Sequence, residues 1–175
     1  MNIGKFARGC AAAAAGLAFA GAVFAQEYPL AEDVETIDGI IKAYYEVVSG
    51  PAGEPRQVAR DKSLHHPDAQ VIIIGAGPDG APRANRMTLE EYHNLGAGQP
   101  QPAFFEYEIG RRMQRHGAVA HVWSAYETTD APGGEPTGRG VNSIQLYHDG
   151  ARWWITSWIF DGRGVEVPAE YIDTE

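Results

Sequence analysis

Residues Arg139–Phe160 read RGVNSIQLYHDGARWWITSWIF. Two runs of alternating character flank Asp149-Gly150, a dipeptide suited to a two-residue hairpin turn. With that turn His148 faces Ala151, and pairing continues Tyr147–Arg152, Leu146–Trp153 and Ile144–Ile155. Opposed residues share a face of a sheet. Asn142, Ile144, Leu146, Trp153, Ile155 and Ser157 then form one largely apolar face. Ser143, Gln145, Tyr147, Trp154, Thr156 and Trp158 form the other, which carries more aromatic surface than a solvated face needs.

The stretch upstream, FFEYEIGRRMQRHGAVAHVWSAYET (104–128), repeats the pattern around a turn at His116-Gly117. Tyr107, Ile109, Met113, Ala120, Val122, Ser124 and Tyr126 share its inner face, and Glu108, Arg112, His121 and Trp123 its outer one. The two hairpins are joined by TDAPGGEPTG (129–138), a polar loop rich in Gly and Pro. Together they make a meander of long strands.

Ahead of the meander the period changes from two to that of a helix. Val34, Ile37, Ile41, Tyr44 and Val48 lie on one face of a helix spanning 32–48, with Glu35, Asp38, Lys42 and Glu46 elsewhere. SGPAGEP stops it, and Pro55 suits the first turn of a shorter helix to about Leu64. QVIIIGAG (70–77) is a buried strand. Thr88 and Glu91 have capping-box spacing, so a third short helix starts there and stops near Gly96. Helices segregated from an antiparallel sheet define an α+β domain.

The 175 residues suffice for one such domain. The first 25 read differently. Lys5 and Arg8 precede an apolar, alanine-rich run to Phe24, and Val23 and Ala25 are the small residues a signal peptidase reads. The expectation is a signal peptide over 1–25, a mature domain over 26–175, and a periplasmic or secreted location. Cys10, the only cysteine, would leave with the leader, so neither disulfides nor thiol chemistry would remain. Loss of Lys5 and Arg8 leaves 12 basic against 23 acidic residues, a net charge of −11. That balance disfavours nucleic acid and anionic membrane surfaces as partners.

The order of elements, with LHHPDAQV entering the first strand, AVAHVWSAYE and RGVNSIQLYHDGARWWI, resembles the nuclear transport factor 2-like superfamily, in particular its SnoaL-like bacterial members, over Ala31 to Asp161. The resemblance implies a curved antiparallel sheet wrapped around helices into a cone with a pocket, often dimeric through the sheet. It implies no single activity, because that fold serves isomerases, dehydratases, epoxide hydrolases, cyclases and non-catalytic members alike. The position where a ketosteroid isomerase carries its carboxylate base falls near Ile73, which cannot take a proton. The epoxide hydrolase pattern needs an inward Arg with two acids. Arg111 falls on the inner face by alternation without such companions, and a bulge at Gly110 would turn Arg112 inward instead.

Candidate site residues follow from these faces. His65, in a cluster with His66 and Asp68, is the candidate general base, although the same residues also suit a helix end. Tyr44 is the second catalytic candidate, since related isomerases keep a hydrogen-bonding tyrosine on the first helix. Tyr45, Arg111, Ser124, Tyr126, Asn142 and Ser157 are candidate ligand-binding groups. His93 is placed to reach the mouth of the cone. Six scattered histidines show no ligand spacing, so no metal and no cofactor is expected. Trp123, Trp154 and Trp158 are expected between two copies of the chain, the alternative cover being the tail beyond Asp161. Three functions stay open: a carrier of a small, largely apolar molecule, an enzyme with a pocket histidine as base, and a non-catalytic dimeric interaction module.

Overall fold

In the computed structural model, which describes residues 26–95 and 99–172, the helical segment begins as α1 (Ala31–Val34) and α2 (Ile37–Val48) rather than one continuous helix. Thr36 interrupts it, its side chain accepting a hydrogen bond from the Gly39 amide at 2.9 Å as an N-cap. Gly39 is required at this bend, because a Cβ there would collide with the Glu32 carbonyl. The stripe Ile37, Ile40, Ile41, Tyr44 and Val47 is buried, as the periodicity demands. α3 (Val58–Leu64) is tied to both helices by Arg60, which holds Asp33 at 2.7 Å and Glu46 at 2.8 Å.

β1 (His65–Ala76) follows directly, then β2 (Pro82–Thr88) and α4 (Leu89–His93). Thr88 and Glu91 form the capping box that their spacing predicts. β2 was not expected from the sequence, and its composition explains why. PRANRMT buries only Met87, and Pro and Arg are edge-strand residues that deter pairing with a further chain. The meander is β3 (Phe105–His116), β4 (Val119–Thr129), β5 (Pro136–His148) and β6 (Trp153–Asp161). The six strands form one curved sheet in the order β2-β1-β6-β5-β4-β3. The expected antiparallel pairing holds for every neighbour except β1 and β6, which run parallel. The core lies between the concave face and α2, with Val71, Val122, Ile144, Leu146, Trp153, Ile155 and Trp158 from the sheet. The fold is therefore α+β, with the sheet curved around the helices.

Both hairpins differ from the simplest register in the same two ways. Neither turn sits at the expected dipeptide, the first hairpin turning at Gly117-Ala118 and the second through a longer loop. His148 pairs with Trp153 across a four-residue loop, because the Asp149 carboxylate accepts the Ala151 and Arg152 amides (2.8 and 2.9 Å) and the Trp154 indole (2.7 Å). These donors lower the Asp149 carboxyl to about 2. In the first hairpin His116 pairs with Val119. Each shift is by two residues and so preserves the faces near the turn. Each hairpin then has a bulge that inverts its far end, between Glu108 and Gly110 in β3 and at Thr156 in β6.

The inversions correct five assignments, those of Tyr107, Glu108, Ile109, Ser157 and Trp158. Tyr107 and Ile109 leave the inner face, and Glu106 and Glu108 take their place beside Thr128 and Tyr126. Ser157 pairs with Gln145 on the outer face, so it does not reach the pocket. Trp158 pairs with Ile144 and is only 2 % exposed within the core, so it is not an interface residue. Trp123 does remain outside at 39 % exposure, and Trp154 stays on the outer side under the Arg152 guanidinium at 3.6 Å. The tail crosses part of that outer face. A 3-10 turn at Ala169–Tyr171 brings the Tyr171 ring to 5.9 Å from that of Trp123, and the Glu170 carbonyl accepts the Arg112 guanidinium at 2.8 Å. Gly110 lies under this tail, where any Cβ would meet the backbone of Tyr171 and Ile172. The segment read as a signal peptide, 1–25, lies outside the described residues.

Candidate functional site

A cavity of about 410 Å³ opens where the inverted ends of the hairpins meet the last turn of α2. Its walls include Tyr44 and Val48 from α2, Tyr92 from α4, Tyr126 from β4, Asn142 from β5, and Trp158 and Phe160 from β6. Tyr44 stands edge-on to Trp158 at 5.9 Å, and Tyr92 to the same ring at 5.3 Å. This is an aromatic box of a size that takes a small organic molecule.

Two acids line it, Asp161, which is tied to Arg163, and Glu106. Glu106 lies on β3 past the bulge, lines the cavity and has no salt-bridge partner among the described residues. Burial pushes its carboxyl up to about 8, opposed only by a donor interaction with the Asn142 amide. At neutral pH Glu106 is therefore mainly a neutral acid. The phenols around it stay protonated too. Burial raises Tyr44, with Glu106 adding to it, and raises Tyr126 to about 12, again with a contribution from Glu106.

Behind this cavity runs a hydrogen-bonded set. Asn142 donates to the Tyr45 hydroxyl at 3.3 Å, which lies 2.7 Å from Ser124 Oγ. Ser124 donates to Glu108 at 2.5 Å, and Glu108 is held by Arg111 at 2.6 Å. Of the expected ligand-binding residues, Tyr126 and Asn142 thus line the cavity, as does Tyr44. Tyr45 and Ser124 form its supporting shell. Arg111 is spent on Glu108 and Asp38, the second at 2.8 Å, and lies outside the cavity. Two acids do flank Arg111, but Asp38 is exposed and Arg111 is outside the cavity, so they do not form the inward set of the epoxide hydrolase pattern.

His65 is not in the pocket either. It is 1 % exposed, behind Trp158, with its ring 4.6 Å from the indole. Its Nδ1 lies 2.8 Å from the Asp61 carbonyl oxygen and 3.3 Å from Asp61 Oδ1. Burial lowers its pKa, opposed by Asp61, so His65 is neutral, and its Nε2 has no hydrogen-bond partner among the described residues. His93 meets the other side of the same carboxylate, Nε2 to Asp61 Oδ2 at 2.6 Å. Asp61 and His93 face a second hollow of about 710 Å³, which shares the walls Val48, Tyr92 and Phe104 with the first. His66 is half-buried and Asp68 exposed, 3.8 Å apart at the start of β1. Ile73, at the isomerase base position, packs against the core. No group of three or more His, Cys, Asp or Glu among the described residues is placed to hold a metal ion. No helix among them is long and apolar enough to cross a membrane.

The residue that sequence reasoning missed is Glu106. Alternation from the hairpin turn places it outside, and only the bulge brings it in. The Ile-Gly pair at 109–110 was the available signal, because a glycine inside a strand often marks a bulge.

Comparison with known proteins agrees with this architecture. No protein-family profile matches the chain, and no curated protein is similar enough to count as a relative. Solved structures do match in fold. One is a protein of unknown function from Mycobacterium tuberculosis, 16% identical, covering 79% of this chain and 75% of that one at a TM-score of 0.53. Another, from Novosphingobium aromaticivorans, is named for a proposed aromatic ring hydroxylase activity, with 14% identity, coverage of 78% and 94%, and a TM-score of 0.52. A nuclear transport factor 2-like protein of unknown function from Shewanella baltica is 15% identical over 71% of this chain and 88% of that one, with a TM-score of 0.48. The chain shares its curved-sheet α+β fold with the first two of these structures. At these identities the likeness is one of fold.

Proposed function

We propose that the protein binds a small, largely apolar molecule in the aromatic cavity and exchanges a proton with it through Glu106. The observation that carries this reading is an unpaired carboxyl, raised to about 8, inside a cavity walled by tyrosines and tryptophan. A perturbed titratable group in a cleft of apolar lining is what proton-transfer chemistry requires. Near neutral pH Glu106 acts as a donor to a ligand oxygen, and above its midpoint it becomes a base. Enolisation, isomerisation or dehydration of an alicyclic or aromatic molecule fits that pair of states. His65, the base expected from sequence, is sealed behind Trp158 and takes no part.

The test is titration of a naphthyl ketone dye whose fluorescence rises on burial. Binding should weaken as pH passes through about 8, and Glu106→Gln should remove that dependence while retaining affinity. Binding that is insensitive to pH in the wild type, or absent, overturns the reading.

Two sequence expectations join this proposal. Export rests on the basic and apolar character of residues 1–25, and sequencing the recovered protein should begin at Gln26. Pairing of two copies rests on Tyr107, Trp123 and Tyr147, each 39–40 % exposed on the outer face. Trp123→Glu should then shift the protein to a monomer on a sizing column, and a wild-type monomer at high concentration removes the idea.

A further inference from the structure

The polar groups behind the cavity form one chain whose proton directions can be worked out. Arg111 donates to Glu108 Oε2 from Nε at 3.0 Å and from Nη2 at 2.6 Å, so Glu108 is an ionised acceptor. Its other oxygen lies 2.5 Å from Ser124 Oγ. A carboxylate has no proton to give, so Ser124 donates. A hydroxyl has one proton, so at the 2.7 Å contact with Tyr45 it is Tyr45 that donates to Ser124. The Tyr45 proton is then used, and its oxygen can only accept from Asn142 at 3.3 Å. The amide must therefore turn its nitrogen inward, and that nitrogen carries a second proton.

We propose that Glu108, which does not line the cavity, is a positioning residue: through Ser124 and Tyr45 it makes Asn142 present its one remaining N–H, rather than its carbonyl, toward Glu106 and the polar end of a bound molecule. The proposal rests on the reading of Glu106 as the working acid. Other ionisable groups lining the cavity are Tyr44 from α2, Tyr92 from α4, Tyr126 from β4, Arg139 from β5 and Asp161 from β6. Arg139 is paired with Glu127 and Asp161 with Arg163, so neither charge is free to replace this control. Two donors, the Glu106 acid and the Asn142 N–H, then face the cavity. The ligand class narrows to molecules bringing an acceptor, an apolar ketone before an apolar alcohol.

Glu108→Gln distinguishes this relay from simple electrostatics by sign. Arg111 holds the Gln oxygen, so the Gln amide nitrogen faces Ser124. Ser124 then accepts there and donates to Tyr45, Tyr45 donates to Asn142, and the amide flips its carbonyl toward Glu106. The flip raises the Glu106 midpoint, whereas loss of a nearby negative charge alone lowers it. Carbon-13 NMR of the Glu106 carboxyl, assigned with Glu106→Gln, should show the midpoint rise by about one pH unit in Glu108→Gln. Ser124→Ala, which leaves the Arg111 ion pair intact, should raise it likewise by freeing the Tyr45 proton. In a Tyr45→Phe background neither change should act, because the ring cannot pass the signal on. A naphthyl ketone should bind the wild type about tenfold more tightly than the matching naphthol, a preference lost in Ser124→Ala. A falling midpoint in Glu108→Gln, an undiminished rise in the Tyr45→Phe background, or tighter naphthol binding overturns the relay. A wild-type midpoint near 4.5 instead overturns the reading of Glu106 itself, so the two failures are separable.

Discussion

Asp61 and Glu106 are both acids inside the same domain, and their surroundings give them opposite roles. Asp61 is clasped by His93 at 2.6 Å and His65 at 3.3 Å, where α3, β1 and α4 meet. Its oxygens are engaged by neighbours, and the cluster joins three elements. Glu106 has a cavity in front of it, phenols around it and no ion-pair partner among the described residues, Arg139 of the same cavity being held by Glu127. A paired buried acid holds a fold together, while an unpaired one keeps its proton and can hand it over. Trp158 is the wall between them, touching His65 on one side and lining the cavity on the other.

The largest effect should come from breaking the paired centre. Asp61→Ala leaves the buried His93 imidazole without its acceptor, while His65 keeps the backbone carbonyl of residue 61, and should cost about 3–5 kcal/mol in urea unfolding. A cost below about 1 kcal/mol would make the cluster ornamental and dissolve the contrast.

Glu106→Gln should do the reverse and stabilise the protein, but only at high pH. The folded midpoint of about 8 lies above the unfolded value near 4.5, so the native state binds more protons between them. Stability is then fullest below about 4.5 and falls as pH rises through about 8. Allowing for water in the cavity, the variant should gain about 3 kcal/mol over wild type at pH 9 and nothing at pH 4, measured by unfolding at both. Equal stability of the two proteins at pH 9 would place Glu106 in water.

The smallest change tests the wall. Trp158→Phe should cost about 1–2 kcal/mol. By admitting water to the orphaned Nε2 it should also move the His65 midpoint, read by proton NMR, back up toward 6.5. An unmoved His65 would mean that something other than Trp158 separates the two centres.

Period and punctuation in the sequence determined much of the architecture. The helical stripe from Ile37 to Val48, the Thr88–Glu91 capping box and the apolar run in β1 are local signals, and each names its element without help from the rest of the chain. The faces close to the two hairpin turns were legible for the same reason: a shift of two residues leaves alternation intact, so Val122, Ile144, Leu146, Trp153 and Ile155 are inside as read. Tyr44, Tyr126 and Asn142 reached the cavity on that logic. Tertiary structure alone decided the far ends. A bulge inserts one residue, and one residue exchanges the faces of everything beyond it. That exchange took Ser157 out, brought Trp158 in and carried Glu106 to the centre of the cavity. His65 was decided the same way. Its sequence neighbours His66 and Asp68 suggested a catalytic cluster or a helix end, but its partner is Asp61, one helical turn earlier, and its lid is an indole ninety-three positions away in β6. Local chemistry marks which residues can ionise, but only long-range packing decides which of them meet a counter-charge and which face an empty space.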